Sequence, residues 1–259
     1  MTSIPCSLKL DYSLIQENNV SFLVRTTWKD QLLHLLSGKA TTSELDGVPG
    51  RGNVKLFQFE GGCGILREYR RGGLASYLSR KHFLLANRPL NELVVLEHLF
   101  LHGFPSPEPL GIRWERCGIL VQGAIVTRLL PGENLLLSFQ RQNELSVETF
   151  SKIGAVIRWM HDLGVYHGDL HVGNILLDGN QPYIVDFDKA RLCHSMTEFL
   201  RLRNLYRLQR SFRKHQFLDT FFRHLLGGYG YPEALRLSAT FRSIWKKRSK
   251  GREKNRIKG

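Results

Sequence analysis

Residues 165–188 read VYHGDLHVGNILLDGNQPYIVDFD. Two short apolar runs, NILL and YIVDF, flank the turn residues DGNQP, the pattern of a tight antiparallel hairpin. Such a hairpin brings Asn174 and Asp186 side by side at one end and leaves Asp169 on the loop that enters it. Three oxygen-bearing side chains are then tied to one small strand pair. Whatever surrounds this segment must cover the apolar faces of the strands and leave the polar end open.

The flanking sequence indicates how. FLVR at 22–25 has strand character, and GRGNVKLFQFEGGCGILREYR at 50–70 reads as a second hairpin turning at Gly61-Gly62. PLNELVVLEHLFLH at 89–102 is apolar at helical spacing, with Leu93, Leu96 and Phe100 on one face and Pro89 suited to a first turn. A Pro/Gly-rich connection, GFPSPEPLG, follows at 103–111, and strand character returns over 117–130. From Ser146, a fitting N-cap, to Leu163 the pattern is helical, with Ile153, Val156, Ile157 and Met160 on one face. The block after the hairpin is helical again. Strands followed by helices, with the hairpin among the helices, predict an α+β fold of two lobes, β-rich first and helical second. The expected divisions are 1–130 for the first lobe, 131–241 for the second, and a disordered basic tail at 242–259.

The residue types on the hairpin suit phosphoryl transfer. A hydroxyl acceptor must be held in line with the γ-phosphate, which suits a carboxylate, and Mg²⁺ takes hard oxygen ligands. Protein kinases place an Asp and an Asn five positions apart on one loop and a further Asp on the next strand end. Asp169 and Asn174 have that spacing, and Asp186 follows, flanked by Ile184-Val185 and Phe187. His167 and His171 are spaced i, i+4, but Gly168 and the strand that follows do not favour a metal-binding helix. The first lobe supplies candidate nucleotide-binding partners. Gly50 and Gly52 precede the first hairpin, where backbone N–H groups suit ATP phosphates. Arg67 falls where a kinase carries its phosphate-binding Lys on the third strand, and Glu92 on the following helix is placed to pair with it.

Charge is uneven. Against 37 Lys and Arg the chain has 23 Asp and Glu, a formal net charge of +14. Residues 1–190 hold 19 bases and 19 acids, whereas 191–259 hold 18 bases and 4 acids. The excess marks a surface for an anionic partner, nucleic acid or phosphate-bearing lipid. No zinc-finger spacing or aromatic-rich RNA motif accompanies it, which favours lipid. Arg203, Arg207, Arg210 and Lys214 fall on one face of a helix over 199–215, with Leu205, Leu208 and Phe212 on the other. RSIWKKRSKGREKNRIKG at 242–259 is expected to tether the protein to an anionic membrane, with Trp245 at the interface. The four cysteines, Cys6, Cys63, Cys117 and Cys193, have no CxxC or paired zinc spacing. The N-terminus lacks the pattern of a secretory signal, and no apolar run is long enough to span a bilayer. These features predict a chain kept in a reducing cytoplasm.

LREYRRGGL at 66–74, TRLLPGENL at 127–135, HGDLHVGNILLD at 167–178, VDFDKARL at 185–192 and NLYRLQRSFRKH at 204–215 together resemble the small bacterial lipopolysaccharide kinases, a branch of the protein-kinase-like fold. The resemblance covers most of residues 20–216 and is nearest to kinases of 3-deoxy-D-manno-octulosonic acid (Kdo). It implies a bilobal protein-kinase-like fold using ATP and Mg²⁺ to phosphorylate the 4-OH of Kdo on a lipid A precursor, at the cytoplasmic face of the bacterial inner membrane. It assigns Asp169 as catalytic base and Asn174 and Asp186 as Mg²⁺ ligands. The HGDLHxGN loop is shared with aminoglycoside phosphotransferases, and a heptose acceptor is a further alternative. So is a pseudokinase that binds lipid or nucleic acid, since Arg stands where Lys is usual. The chain carries DFD in place of DFG and no APE-like element, so a protein substrate is not expected.

Overall fold

Asn18 and Asn19 close a two-residue turn, with Asn18 at φ 52°, a left-handed conformation that Asn tolerates. The turn joins the first two strands of a seven-stranded sheet. The computed structural model describes residues 8–44, 54–69, 88–117, 120–141 and 145–231, and the chain divides into two units, Met1–Leu130 and Pro131–Gly259. The sheet belongs to the first unit: β1 (Tyr12–Glu17), β2 (Val20–Arg25), β3 (Ser43–Glu44), β4 (Val54–Phe59), β5 (Gly62–Glu68), β6 (Pro109–Cys117) and β7 (Leu120–Arg128). All neighbouring strands are antiparallel, in the order β1-β2-β6-β7-β5-β4-β3.

Alternation along these strands divides the residues between two faces. Phe22, Val24, Phe57, Leu66, Ala124 and Val126 form one core with Leu32, Leu35 and Leu36 of helix α1 (Lys29–Leu36). Helix α2 (Arg88–Leu101) packs on β6 and β7 and buries Leu93, Leu96 and Leu99. Here the expected face shifts by one residue: Leu99 points inward, while Phe100 is 37% exposed. At 3.6 residues per turn both positions lie near the face, and the packing selects the first. The 103–111 connection is also shorter than expected, because Pro109 already begins β6, with a register shift before Gly111 that accommodates the proline.

The second unit contains four described helices, α3 (Leu135–Gln140), α4 (Val147–Asp162), α5 (Glu198–Lys214) and α6 (Asp219–Tyr229). Its strands are β8 (Glu133–Asn134), β9 (Val165–Tyr166), β10 (Ile175–Asp178), β11 (Gln181–Ile184) and β12 (Arg191–Leu192), forming the sheets β11-β10-β8 and β12-β9. Ser146 Oγ caps α4 by accepting the Thr149 N–H at 3.2 Å. Ile153, Ile157 and Met160 of α4 are fully buried. Two glycines let α4 and α6 approach closely: a Cβ on Gly154 would overlap Leu225 O, and one on Gly228 would overlap Ser151 O. On α5, Leu205, Leu208 and Phe212 face inward, while Arg203, Arg207, Arg210 and Lys214 are exposed. Gly50 and Gly52, Arg70 and Arg71, and the 242–259 tail lie outside the described residues.

Candidate active site

The loop between β9 and β10 is shaped by its own residues. Gly168 has φ 75°, and a Cβ there would overlap Lys189 O, so the backbones of the loop and of the segment after Asp186 touch. His167, fully buried, spans that contact. Its Nε2–H donates to Val185 O at 3.1 Å, and its Nδ1 accepts the Asp169 N–H at 3.3 Å. Burial pushes the His167 imidazole down to about 4, so it is neutral at physiological pH, which this bonding pattern also requires. His171 likewise acts on the backbone, its Nδ1 accepting the Gly173 N–H at 3.0 Å. Asn134, in the PGENL segment, donates from Nδ2 to Gly173 O at 2.6 Å and caps α3 through the Leu136 N–H at 2.9 Å. Ser211 of α5 fixes the Val172 N–H at 3.2 Å.

These ties present Asp169, Asn174 and Asp186 together. Asn174 ends a 3-10 turn, Val172–Asn174, one residue ahead of β10, and β11 ends at Ile184, so both polar residues lie just beyond the paired strands. The Val185 N–H donates to Asn174 O at 3.0 Å, setting Asp186 beside Asn174. Asp186 is left-handed, at φ 64°, a strained conformation held by its surroundings. The Asn174 Nδ2–H donates to Asp169 O at 3.1 Å. A carboxylate and a carboxamide so placed are the hard oxygen donors that Mg²⁺ takes alongside phosphate oxygens.

Asp169 is held by two cations. Lys189 Nζ lies 2.5 Å from Oδ2, and Arg207 Nη2 bonds Oδ1. Burial pushes the Asp169 carboxyl up, but Lys189 and Arg207 outweigh it and hold the group below the usual carboxylate range, ionised at neutral pH.

Asn204 of α5 sits behind the loop. Its Oδ1 accepts the His167 N–H at 3.3 Å and the His161 Nε2–H at 3.0 Å, and His161 Nδ1 accepts from Tyr229 OH at 2.7 Å. Burial pushes His161 down to about 3.

In the first unit, Arg67 on β5 and Glu92 on α2 meet. Arg67 Nη2 lies 2.5 Å from both Glu92 oxygens, and Tyr69 OH donates to Oε2. The Glu92 side chain is 4% exposed and that of Arg67 25%. Arg67 and Arg88 both lie over the Tyr69 ring, at 5.0 and 5.4 Å. A cavity of about 640 Å³ also occurs in this unit, bordered by α1 and by Leu66, Glu68, Arg113, Glu115 and Gln122. By strand alternation these residues project from the opposite sheet face to Arg67, while Tyr69, which bonds Glu92, also borders the cavity.

Sequence reasoning missed Lys189, Asn204 and Tyr69. Lys189 and Asn204 stand 20 and 37 residues from their partners, with no local periodicity to mark them. Tyr69 had a signal in its i+2 spacing from Arg67.

Residues 39–229 match the model of the Lipopolysaccharide kinase (Kdo/WaaP) family. The chain is 34% identical over 175 residues to the 3-deoxy-D-manno-octulosonic acid kinase of Vibrio cholerae, covering 66% of this chain and 74% of the relative. To the protein of the same name from Vibrio vulnificus it is 32% identical over 203 residues, covering 74% and 85%. Among solved structures, "WaaP in complex with acyl carrier protein" superposes with a TM-score of 0.51 at 14% identity, covering 88% of this chain and 97% of that one. Fold and catalytic loop thus define a protein-kinase-like phosphotransferase of alcohol acceptors. The chain belongs to the lipopolysaccharide kinase (Kdo/WaaP) family.

Proposed function

We propose that this chain transfers the γ-phosphoryl group of ATP to the 4-OH of Kdo on a lipid A precursor, in lipopolysaccharide core biosynthesis. The family match and the names of its relatives support the sugar. The observation that carries the chemistry is Asp169, held ionised, with its backbone carbonyl bonded to Asn174.

Asp169 orients the acceptor hydroxyl and takes its proton. A low pKa suits this role, because in a loose transition state the hydroxyl gives up its proton late, when it has become strongly acidic. Lys189, at 61% exposure, is positioned to compensate charge on the transferring group. Asn174 and Asp186 hold Mg²⁺, which when bound neutralises charge on the phosphate oxygens. In the first unit Arg67, fixed by Glu92 and Tyr69, supplies a cation for the nucleotide phosphates, with Gly50 and Gly52 donating backbone N–H groups.

The basic face of α5 and the 242–259 tail bind the protein peripherally to anionic lipid at the cytoplasmic face of the inner membrane. No described helix is long and apolar enough to cross a membrane. The 18 bases and 4 acids of residues 191–259 oppose a cationic aminoglycoside acceptor.

The test is transfer from labelled ATP, with Mg²⁺, to a Kdo-bearing lipid A precursor, run beside an aminoglycoside and a generic protein. Label in the lipid alone is expected. Label in neither lipid nor drug, with ATP bound, would leave a non-catalytic binder.

A further inference from the structure

We propose that Arg207, flanked by Arg203 and Arg191, forms the binding site for the carboxylate of the acceptor sugar, and that Arg207 passes from Asp169 to that carboxylate when acceptor binds. The inference rests on the acidic-sugar acceptor proposed above and names what recognises it.

Three arginines gather around the start of the catalytic loop. Arg191 on β12 pairs with Tyr166 on β9, and its guanidinium lies 5.0 Å from the Tyr166 ring. Arg203 of α5 approaches the same ring at 5.8 Å. Arg207, one turn further along α5, bonds Asp169 Oδ1. Neither Arg191 nor Arg203 has a carboxylate partner among the described residues; both are held by an aromatic ring. Two guanidinium groups held at one ring concentrate positive charge at the start of the loop, which favours an anion there.

The chemistry of the acceptor selects which anion. The reacting hydroxyl must reach Asp169, so an acid group on the same sugar falls within reach of the cations around Asp169. A guanidinium fork matches a carboxylate in two parallel hydrogen bonds.

The exchange also gates the reaction. Both Asp169 oxygens are engaged by cations, which competes with an incoming hydroxyl. An acidic acceptor offers Arg207 an equivalent partner, which offsets the loss of Asp169. A neutral sugar offers none, so discrimination arises at the step that prepares Asp169.

The test compares two acceptors differing only at the sugar carboxyl, the acid and its carboxamide, using the full chain and the variants Arg191→Ala, Arg203→Ala, Arg207→Ala and Arg207→Lys. Thermal melting establishes that each variant is folded. For the unmodified protein the carboxamide should raise KM about ten- to a hundredfold. In Arg203→Ala and Arg207→Ala the two acceptors should converge, and Arg207→Lys should restore part of the difference. A third acceptor, the acid on a dephosphorylated lipid, should change KM by the same factor in every variant. Equal use of acid and carboxamide by the unmodified protein overturns this proposal and leaves the Kdo kinase reading intact. Loss of the phosphate effect in the arginine variants, in place of the carboxyl effect, assigns the cluster to lipid phosphate and also overturns it. Transfer to none of the acceptors overturns the kinase reading itself.

Discussion

The His167 Nε2–H donates to Val185 O at 3.1 Å, so the residue that opens the catalytic loop is bonded to the residue preceding Asp186. The bond requires a neutral imidazole whose other nitrogen accepts the Asp169 N–H. A protonated His167 cannot accept that N–H, and the two halves of the site then lose their common anchor.

Acid should therefore destabilise the second unit. His167 falls to about 4 and His161 to about 3, from an ordinary value of 6.5, in each case through burial. Between those values the unfolded chain binds more protons than the folded one, so stability rises with pH. It should be full above about pH 6.5 and should fall by a few kcal/mol as pH drops towards 4. Melting temperatures measured across that range test this, and a flat profile would contradict it.

Replacing Asp169 by Asn or Ala should lower kcat by about 10²- to 10⁴-fold. Lys189 and Arg207 are both at least half exposed, so they can return to solvent without strain. The melting temperature and ATP affinity should therefore stay near those of the unmodified protein. Substantial turnover in either variant would remove Asp169 from the role.

Arg67→Ala should destabilise the first unit by roughly 3–5 kcal/mol, because it removes the guanidinium bonded to both oxygens of the buried Glu92 carboxylate. Arg67→Lys should recover part of that loss, since a single ammonium replaces the guanidinium fork. Urea unfolding measures the stability, and ATP titration should show weaker binding in both variants.

Gly154→Ala and Gly228→Ala provide a test with an unusual sign. Alanine in a helix interior ordinarily gains about 1 kcal/mol over glycine. Here the added methyl meets the backbone of the facing helix, so each change should cost about 1–3 kcal/mol or more. A stabilised Gly154→Ala protein in chemical denaturation would refute the close crossing of α4 and α6.

Removing residues 242–259, which hold nine bases and one acid, should weaken binding to anionic vesicles and reduce its salt sensitivity, at about 1 kcal/mol per basic residue near the surface. Unchanged vesicle co-sedimentation would exclude the tail as a tether.

The catalytic hairpin was legible because its residue types are fixed by chemistry and its turn by local propensity. Helix α5 was legible because its apolar residues, Leu205, Leu208 and Phe212, keep helical spacing opposite the basic ones. Leu99 and Phe100 show the limit of such reading: both suit the face, and only the sheet beneath decides. Gly154 and Gly228 carry no signal in the sequence, since the facing backbones that require them belong to helices in contact across 73 residues of the chain. Lys189 stayed hidden because the loop and the segment after Asp186 meet through the turn that only Gly168 permits. The Arg67–Glu92 pair lay between these cases, its position suggested by spacing and its third member, Tyr69, supplied by the fold.

Helix α5 divides its duties by side. Inward, Asn204, Leu205, Leu208 and Phe212 hold the catalytic loop and the core. Outward, Arg203, Arg210 and Lys214 form no ion pair among the described residues. A lineage can therefore rewrite the outer positions, one charge at a time, while the inner ones keep the machinery in register. On such a helix, diversification towards new acceptors proceeds by surface substitution, and the inherited loop need not change.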